Sequence, residues 1–133
     1  MRKEPIPVLF AAIVLAAVTL PALAHHSVSA EFNGTQRIQL SGTVTKVTWL
    51  NPHTFFYVDA KDPKTGTTVN WSCELGSPQM LGTLGWTRST LRVGMMVNFT
   101  GILARDGSRK VIARNIVAEG VKLTTWPSEH SNP

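Results

Sequence analysis

Between Ile38 and Ala118 the chain reads as five stretches of β-branched and aromatic residues separated by turn signals, and this rhythm constrains the fold more than any other feature. Ile38–Trp49 (IQLSGTVTKVTW) is the first stretch, with Gly42 marking a bulge or bend in a long strand. The Asn51-Pro52 turn signal leads into His53–Ala60 (HTFFYVDA), and Lys61–Gly66 reads as a hairpin loop. In Thr67–Leu75, the residues Val69, Trp71, Cys73 and Leu75 share one face while Asn70, Ser72 and Glu74 share the other. Ser77–Leu84 changes character. Ser77 can cap a helix and Pro78 suits its first position; Met80, Leu81 and Leu84 follow at helical spacing, and Gly85 can end it. Leu91–Gly94 then turns the chain into Met96–Ala104, Arg105–Lys110 makes another hairpin turn, and Lys110–Ala118 closes the sheet.

This order predicts an all-β, mainly antiparallel fold: a small five-stranded OB-like Greek-key barrel with one short helix between strands three and four. A small open sandwich is the alternative. The apolar faces assign Val44, Val47, Phe56, Val58, Val69, Trp71, Cys73, Leu81, Val97, Phe99, Leu103, Ile112 and Ile116 to the core. Phe55 and Phe56 are adjacent and both apolar, so the inward face of the second strand stays open. The barrel is expected over 37–123, after an extended segment at 25–36 and before an irregular tail at 124–133.

The first 24 residues have a different composition. Arg2 and Lys3 are positive, Val8–Leu20 is an uninterrupted apolar run, and Pro21 breaks it before Ala22-Leu23-Ala24. Small residues at both ends of that triplet fit a signal peptidase site, so cleavage after Ala24 is expected, with a periplasmic or secreted product. A membrane anchor is the rival, but a spanning helix needs about 20 apolar residues. This run is shorter and ends at a proline. No cysteine follows it, which excludes lipid attachment there.

Removing Arg2, Lys3 and Glu4 lowers the formal charge from +5 to +4. Basic charge often signals nucleic acid, but export points away from that partner and toward an anionic envelope surface or no partner at all. Cys73 is the only cysteine, so burial must hold the domain together without an intramolecular disulfide.

Cleavage after Ala24 would make His25 the first residue, with His26 next to it. An N-terminal histidine offers an amine and an imidazole together, a flat nitrogen chelate that suits copper(II). The amine titrates at about 7.7–8.0 in model compounds, so a metal displaces its proton readily at neutral pH. His53, at the mouth of the second strand, is the expected remote donor, and His26 competes with it. A surface histidine that merely caps a strand is the ordinary reading of His53. His130 reads as solvated.

Other chemistries find less support. The chain has no G-x-S-x-G elbow and no glycine-rich phosphate loop. Cys73, beside Trp71 on an apolar face, reads as an inert core thiol. Asp59 and Glu74 suggest an acid pair across adjacent strands, against the commoner solvated or salt-bridged outcome. Trp49, Trp71, Trp86 and Trp126 suggest a stacking platform of the kind OB-type barrels use, although Trp71 reads as core. Together these features predict a non-catalytic binding module rather than an enzyme. Copper is its expected metal, through His25, His26 and His53. A metal-free envelope adaptor or ligand-binding domain, using Trp49, Asn51, Glu74 and Trp86, is the alternative.

The motifs AHHS (Ala24–Ser27), AEF (Ala30–Phe32), GTVTKVTWLNPH (Gly42–His53), WSCELGSP (Trp71–Pro78), LGWTRSTLRVG (Leu84–Gly94) and ARDGS (Ala104–Ser108), with Asp59, occur in an order that resembles domain of unknown function family 6152. The resemblance covers nearly all of the chain after the leader and implies an exported single-domain β protein. It singles out His25, His26, Trp49, Asn51, Pro52, His53, Glu74 and Trp86, and it assigns none of them a role.

Overall fold

The computed structural model describes residues 28–126. The expected cleavage site, His25, His26 and His130 lie outside the described residues. The chain forms α1 (Val28–Glu31), β1 (Phe32–Thr48), β2 (Phe55–Lys61), β3 (Thr68–Glu74), α2 (Pro78–Thr83), β4 (Met96–Ala104), β5 (Lys110–Ala118) and β6 (Val121–Leu123). The sheet order is β3-β2-β1-β4-β5-β6, and each of these neighbouring pairs is antiparallel. A parallel pairing sets Ser72, Cys73 and Glu74 of β3 opposite Lys110, Val111 and Ile112 of β5. The fold is therefore all-β, a mainly antiparallel sheet of six strands with two short helices.

Two strands differ from expectation. The β1 strand begins at Phe32, ahead of Ile38, because Phe32 pairs with Ala104 across an irregularity that precedes the Arg37–Ile102 pair. Asn33–Gln36 is polar and mostly exposed, so no alternation announces it. The added strand β6 follows a two-residue turn in which Glu119 and Gly120 both take positive φ, 47° and 80°. Such a turn matches the twist of a hairpin but normally calls for Asn-Gly or Asp-Gly. Here Glu119 is held by its own side chain, whose Oε1 accepts the Met96 N–H at 2.6 Å.

Gly42 is needed for close approach, not for a bulge. A Cβ there would stand 2.2 Å from the Asp59 carbonyl oxygen and 2.9 Å from the Ala60 Cβ. The bulge falls between Val44 and Lys46, and it moves the core-facing positions from Leu40 and Val44 to Val47 and Trp49. A second irregularity between Asn98 and Thr100 faces Asn115, whose φ is 48°. It switches β5 from presenting Val111 and Ala113 to the main core to presenting Ile116 and Ala118.

The core holds Val44, Phe56, Val58, Trp71, Cys73, Leu81, Val97, Phe99 and Ile116 as expected, with Val47, Val69 and Leu103 packed partly against it. Phe56 points inward, meeting Phe99 edge-on at 5.4 Å between ring centroids, and Phe55 lies half-buried on the other face. Truncating Phe56 to alanine would cost about 3–5 kcal/mol. Ile112 is buried elsewhere, with Phe32 and Ala104 in a smaller cluster on the outer side of the sheet. The α2 helix forms where expected. Ser77 Oγ accepts the Met80 N–H at 3.1 Å, Pro78 opens the helix, and Gly85 follows its end with φ 88°.

Candidate functional site

His53 immediately precedes β2, on the connection that contains the cis Asn51-Pro52 bond. Its backbone position is fixed by its neighbour. Thr54 donates to the Gly76 carbonyl at 3.0 Å and accepts from the Leu75 N–H at 2.8 Å, extending the β2–β3 pairing past Phe55 and Glu74. The imidazole thus sits beside the end of β3, where Glu74 Oε1 is 2.7 Å from His53 Nδ1. An ionised carboxylate only accepts hydrogen bonds, so Nδ1 carries the hydrogen of this contact.

Glu74 lies on the face of β3 opposite Trp71 and Cys73, and it is only 5% exposed. The outer face at this end is covered by the α1–Phe32 segment and by Lys110, the first residue of β5. Lys110 Nζ reaches Glu74 Oε2 at 3.1 Å and Glu31 Oε1 at 2.5 Å. It also lies 5.3 Å from the Phe32 ring centroid and 5.6 Å from that of Phe55. Burial works against the lysine charge, but the hydrogen bonds to Glu31 and then Glu74 outweigh it and raise its pKa above the ordinary 10.5. The result is a chain of polar contacts, Glu31–Lys110–Glu74–His53, that ties α1 to the mouth of β2.

That arrangement has a definite chemical capacity. A carboxylate on Nδ1 orients the ring and leaves Nε2 outside that contact, the relation that commonly supports a histidine acting as a metal ligand. The His53 side chain is 44% exposed, so its outer edge is open. Among the described residues, no three His, Cys, Asp or Glu side chains converge as a metal site.

The remaining sequence-selected residues have different surroundings. Trp49 packs partly against the core and carries the Arg88 guanidinium 5.8 Å from its ring centroid. Asn51 is exposed. Trp86 is 7% exposed, packs in the core and donates Nε1–H to the Thr124 carbonyl at 2.6 Å, so it presents no stacking face. Trp126, in the expected irregular tail, lies under Arg114 at 4.0 Å from its ring centroid. Asp59 faces Asn70 and accepts its Nδ2–H at 2.8 Å, whereas Glu74 faces Phe55; the two acids do not meet. Cys73 is buried, and desolvation pushes its thiol pKa far up.

A family model described as a family of unknown function, DUF6152, matches residues 12–114. The chain belongs to that family. No curated protein and no solved structure matches it. The DUF6152 match spans His25, His26, Trp49, Asn51, His53, Glu74, Trp86 and Lys110, and it covers both histidine segments. Among the described residues of this DUF6152 member, no helix is long and apolar enough to cross a membrane.

Sequence reasoning missed Lys110 and Glu31, the two residues that complete the chain of polar contacts. Lys110 opens a strand behind a polar turn and looks like a solvated end. Glu31 precedes the first stretch with any alternation. Neither carries a local signal, because their meeting depends on the parallel β3–β5 pairing and on α1 folding back over the sheet.

Proposed function

We propose that the protein is an exported, non-catalytic binding module on an OB-like β-barrel, and that it binds copper(II) through His25, His26 and His53 once its leader is cleaved after Ala24. The observation that carries this reading is the 2.7 Å contact between His53 Nδ1 and the buried Glu74, which leaves Nε2 as the ring nitrogen that the carboxylate does not engage. Lys110 balances the Glu74 charge at the other carboxylate oxygen. Reach also favours it. Glu31 is tied through Lys110 to the same carboxylate, and the chain from Glu31 back to His25 spans at most about 20 Å. The barrel assignment is supported by the β3–β5 pairing and by α2 lying between β3 and β4.

The alternative reading is a metal-free envelope adaptor or ligand-binding domain using the same β1–β2 connection. The half-buried Trp49 with Arg88 over its ring favours it, since that pair offers a flat apolar and cationic surface. Copper(II) titration separates the two. Mature protein beginning at His25 should bind copper(II) more tightly than protein carrying one extra N-terminal residue, and His53→Ala should weaken binding further. Equal affinity in all three forms would leave the metal-free reading.

A further inference from the structure

The β2–β3 pair has two ends, and the one opposite His53 carries a site that the copper reading does not use. The β2–β3 turn, the β4–β5 turn and Gln36–Ile38 of β1 enclose a cavity of about 510 Å³. That volume lies within the range of pockets that take small organic ligands, about 300–1,000 Å³.

The lining is unbalanced in charge. Arg37, Lys64, Arg105 and Arg109 contribute four cations, against the single carboxylate of Asp62. Asp62 is already engaged, accepting the Lys64 backbone N–H at 2.9 Å and lying 3.4 Å from Arg109 Nε. Arg105 Nε donates to the Ser29 carbonyl at 2.9 Å. Among the described residues no acid pairs with Arg37 or Lys64. A cavity with several cations and one committed acid favours an anion.

Trp71 lines the cavity and is 4% exposed, and its Nε1–H has no acceptor among the described residues. Its Nε1 is sealed from any contacting atom, so the indole packs behind the cavity wall. Beside it, Ile38 and Leu103 provide apolar wall. The cavity therefore offers an excess of positive charge and an apolar surface together.

We propose that this cavity binds a small organic anion with a carboxylate head and a short apolar body. The head pairs with Arg37, and the body lies along Ile38 and Leu103 beside the Trp71 indole. A planar carboxylate suits the guanidinium groups here, as Asp62 already does against Arg109. The site is separate from His53 and does not depend on copper.

NMR of ¹⁵N-labelled mature protein tests this directly, because the indole N–H signals of the four tryptophans can be assigned by sequential connectivity. Sodium octanoate is the probe, with 1-octanol and sodium phosphate as the apolar and anionic halves of it. Octanoate should shift the Trp71 indole signal saturably, and neither 1-octanol nor phosphate should match it. Arg37→Ala should weaken octanoate binding about tenfold, the loss of one charge-assisted contact. His53→Ala should leave it unchanged. An unmoved Trp71 signal, an equal response to 1-octanol or phosphate, undiminished affinity in Arg37→Ala, or weakened affinity in His53→Ala would each overturn the proposal.

Discussion

His53 Nδ1 stands 2.7 Å from Glu74 Oε1, joining a half-exposed imidazole to a buried carboxylate at the shared end of β2 and β3. The carboxylate needs a cation to be stable there, and Lys110 supplies it. Lys110→Ala should therefore destabilise the protein by about 1.5–3 kcal/mol, because it leaves a buried charge poorly compensated. Adding Glu74→Gln to that variant should recover part of the loss. Urea denaturation of the single and double variants measures it, and simple additivity would contradict the coupling.

Acid and alkaline stability should report different ends of the molecule. The Lys64 backbone N–H, acting against burial and helped by Arg109, holds Asp62 below its ordinary pKa of 3.8. A lowered carboxylate stabilises the fold fully above pH 3.8, and that contribution is lost as the pH falls through the folded value. Lys110 has a raised pKa, so its contribution is complete below pH 10.5 and is lost as the pH climbs through the folded value. In thermal melts, the gap between wild type and Asp62→Asn should close below pH 3.8. The gap for Lys110→Ala should close only above pH 10.5.

Gly42 and Gly82 should respond to alanine with opposite signs. A Cβ at Gly42 meets the Asp59 backbone at 2.2 Å, and strand backbone yields poorly, so Gly42→Ala should cost at least about 2 kcal/mol. Gly82 lies within α2 with nothing within 4 Å of a Cβ, so Gly82→Ala should stabilise by about 0.5–1 kcal/mol. Chemical denaturation midpoints give both.

Asn115 takes φ 48° where β5 changes its core-facing parity, and it donates Nδ2–H to Thr100 Oγ1 at 3.1 Å. Asn115→Gly should be nearly neutral. Asn115→Val should lose roughly 1–2 kcal/mol, the penalty for a left-handed conformation in a branched residue. Calorimetric Tm values distinguish them.

Cys73 is fully buried and its thiol pKa is pushed far up by desolvation. Little thiolate forms in the folded state, so a thiol-specific disulfide reagent should label Cys73 only as fast as the protein opens. Rapid labelling under native conditions would show that this part of β3 is not core.

Some of this protein was legible in its residues taken in order. Period-two alternation in Thr68–Glu74 and Met96–Ala104 announced strands, and Ser77-Pro78 announced α2, because side-chain direction and helix capping are settled within a few neighbouring residues. His53 and Glu74 were both selected from sequence, although not as partners. What followed from distant contacts was hidden: the inward choice of Phe56 over Phe55, the parity switch at Asn115 that sends Ile112 to the outer cluster, and the burial of Trp86 and Glu74.

The sequence by itself determined the strand rhythm, the short helix and the absence of any intramolecular disulfide, since each depends on local spacing or on counting. Only the tertiary structure decided which polar groups meet. Glu31, Lys110, Glu74 and His53 lie on four segments far apart in the chain, and they become neighbours because α1 folds over the sheet and β3 pairs in parallel with β5. Electrostatic partnership depends on distance through space and on exclusion of water, and neither exists until the sheet has formed.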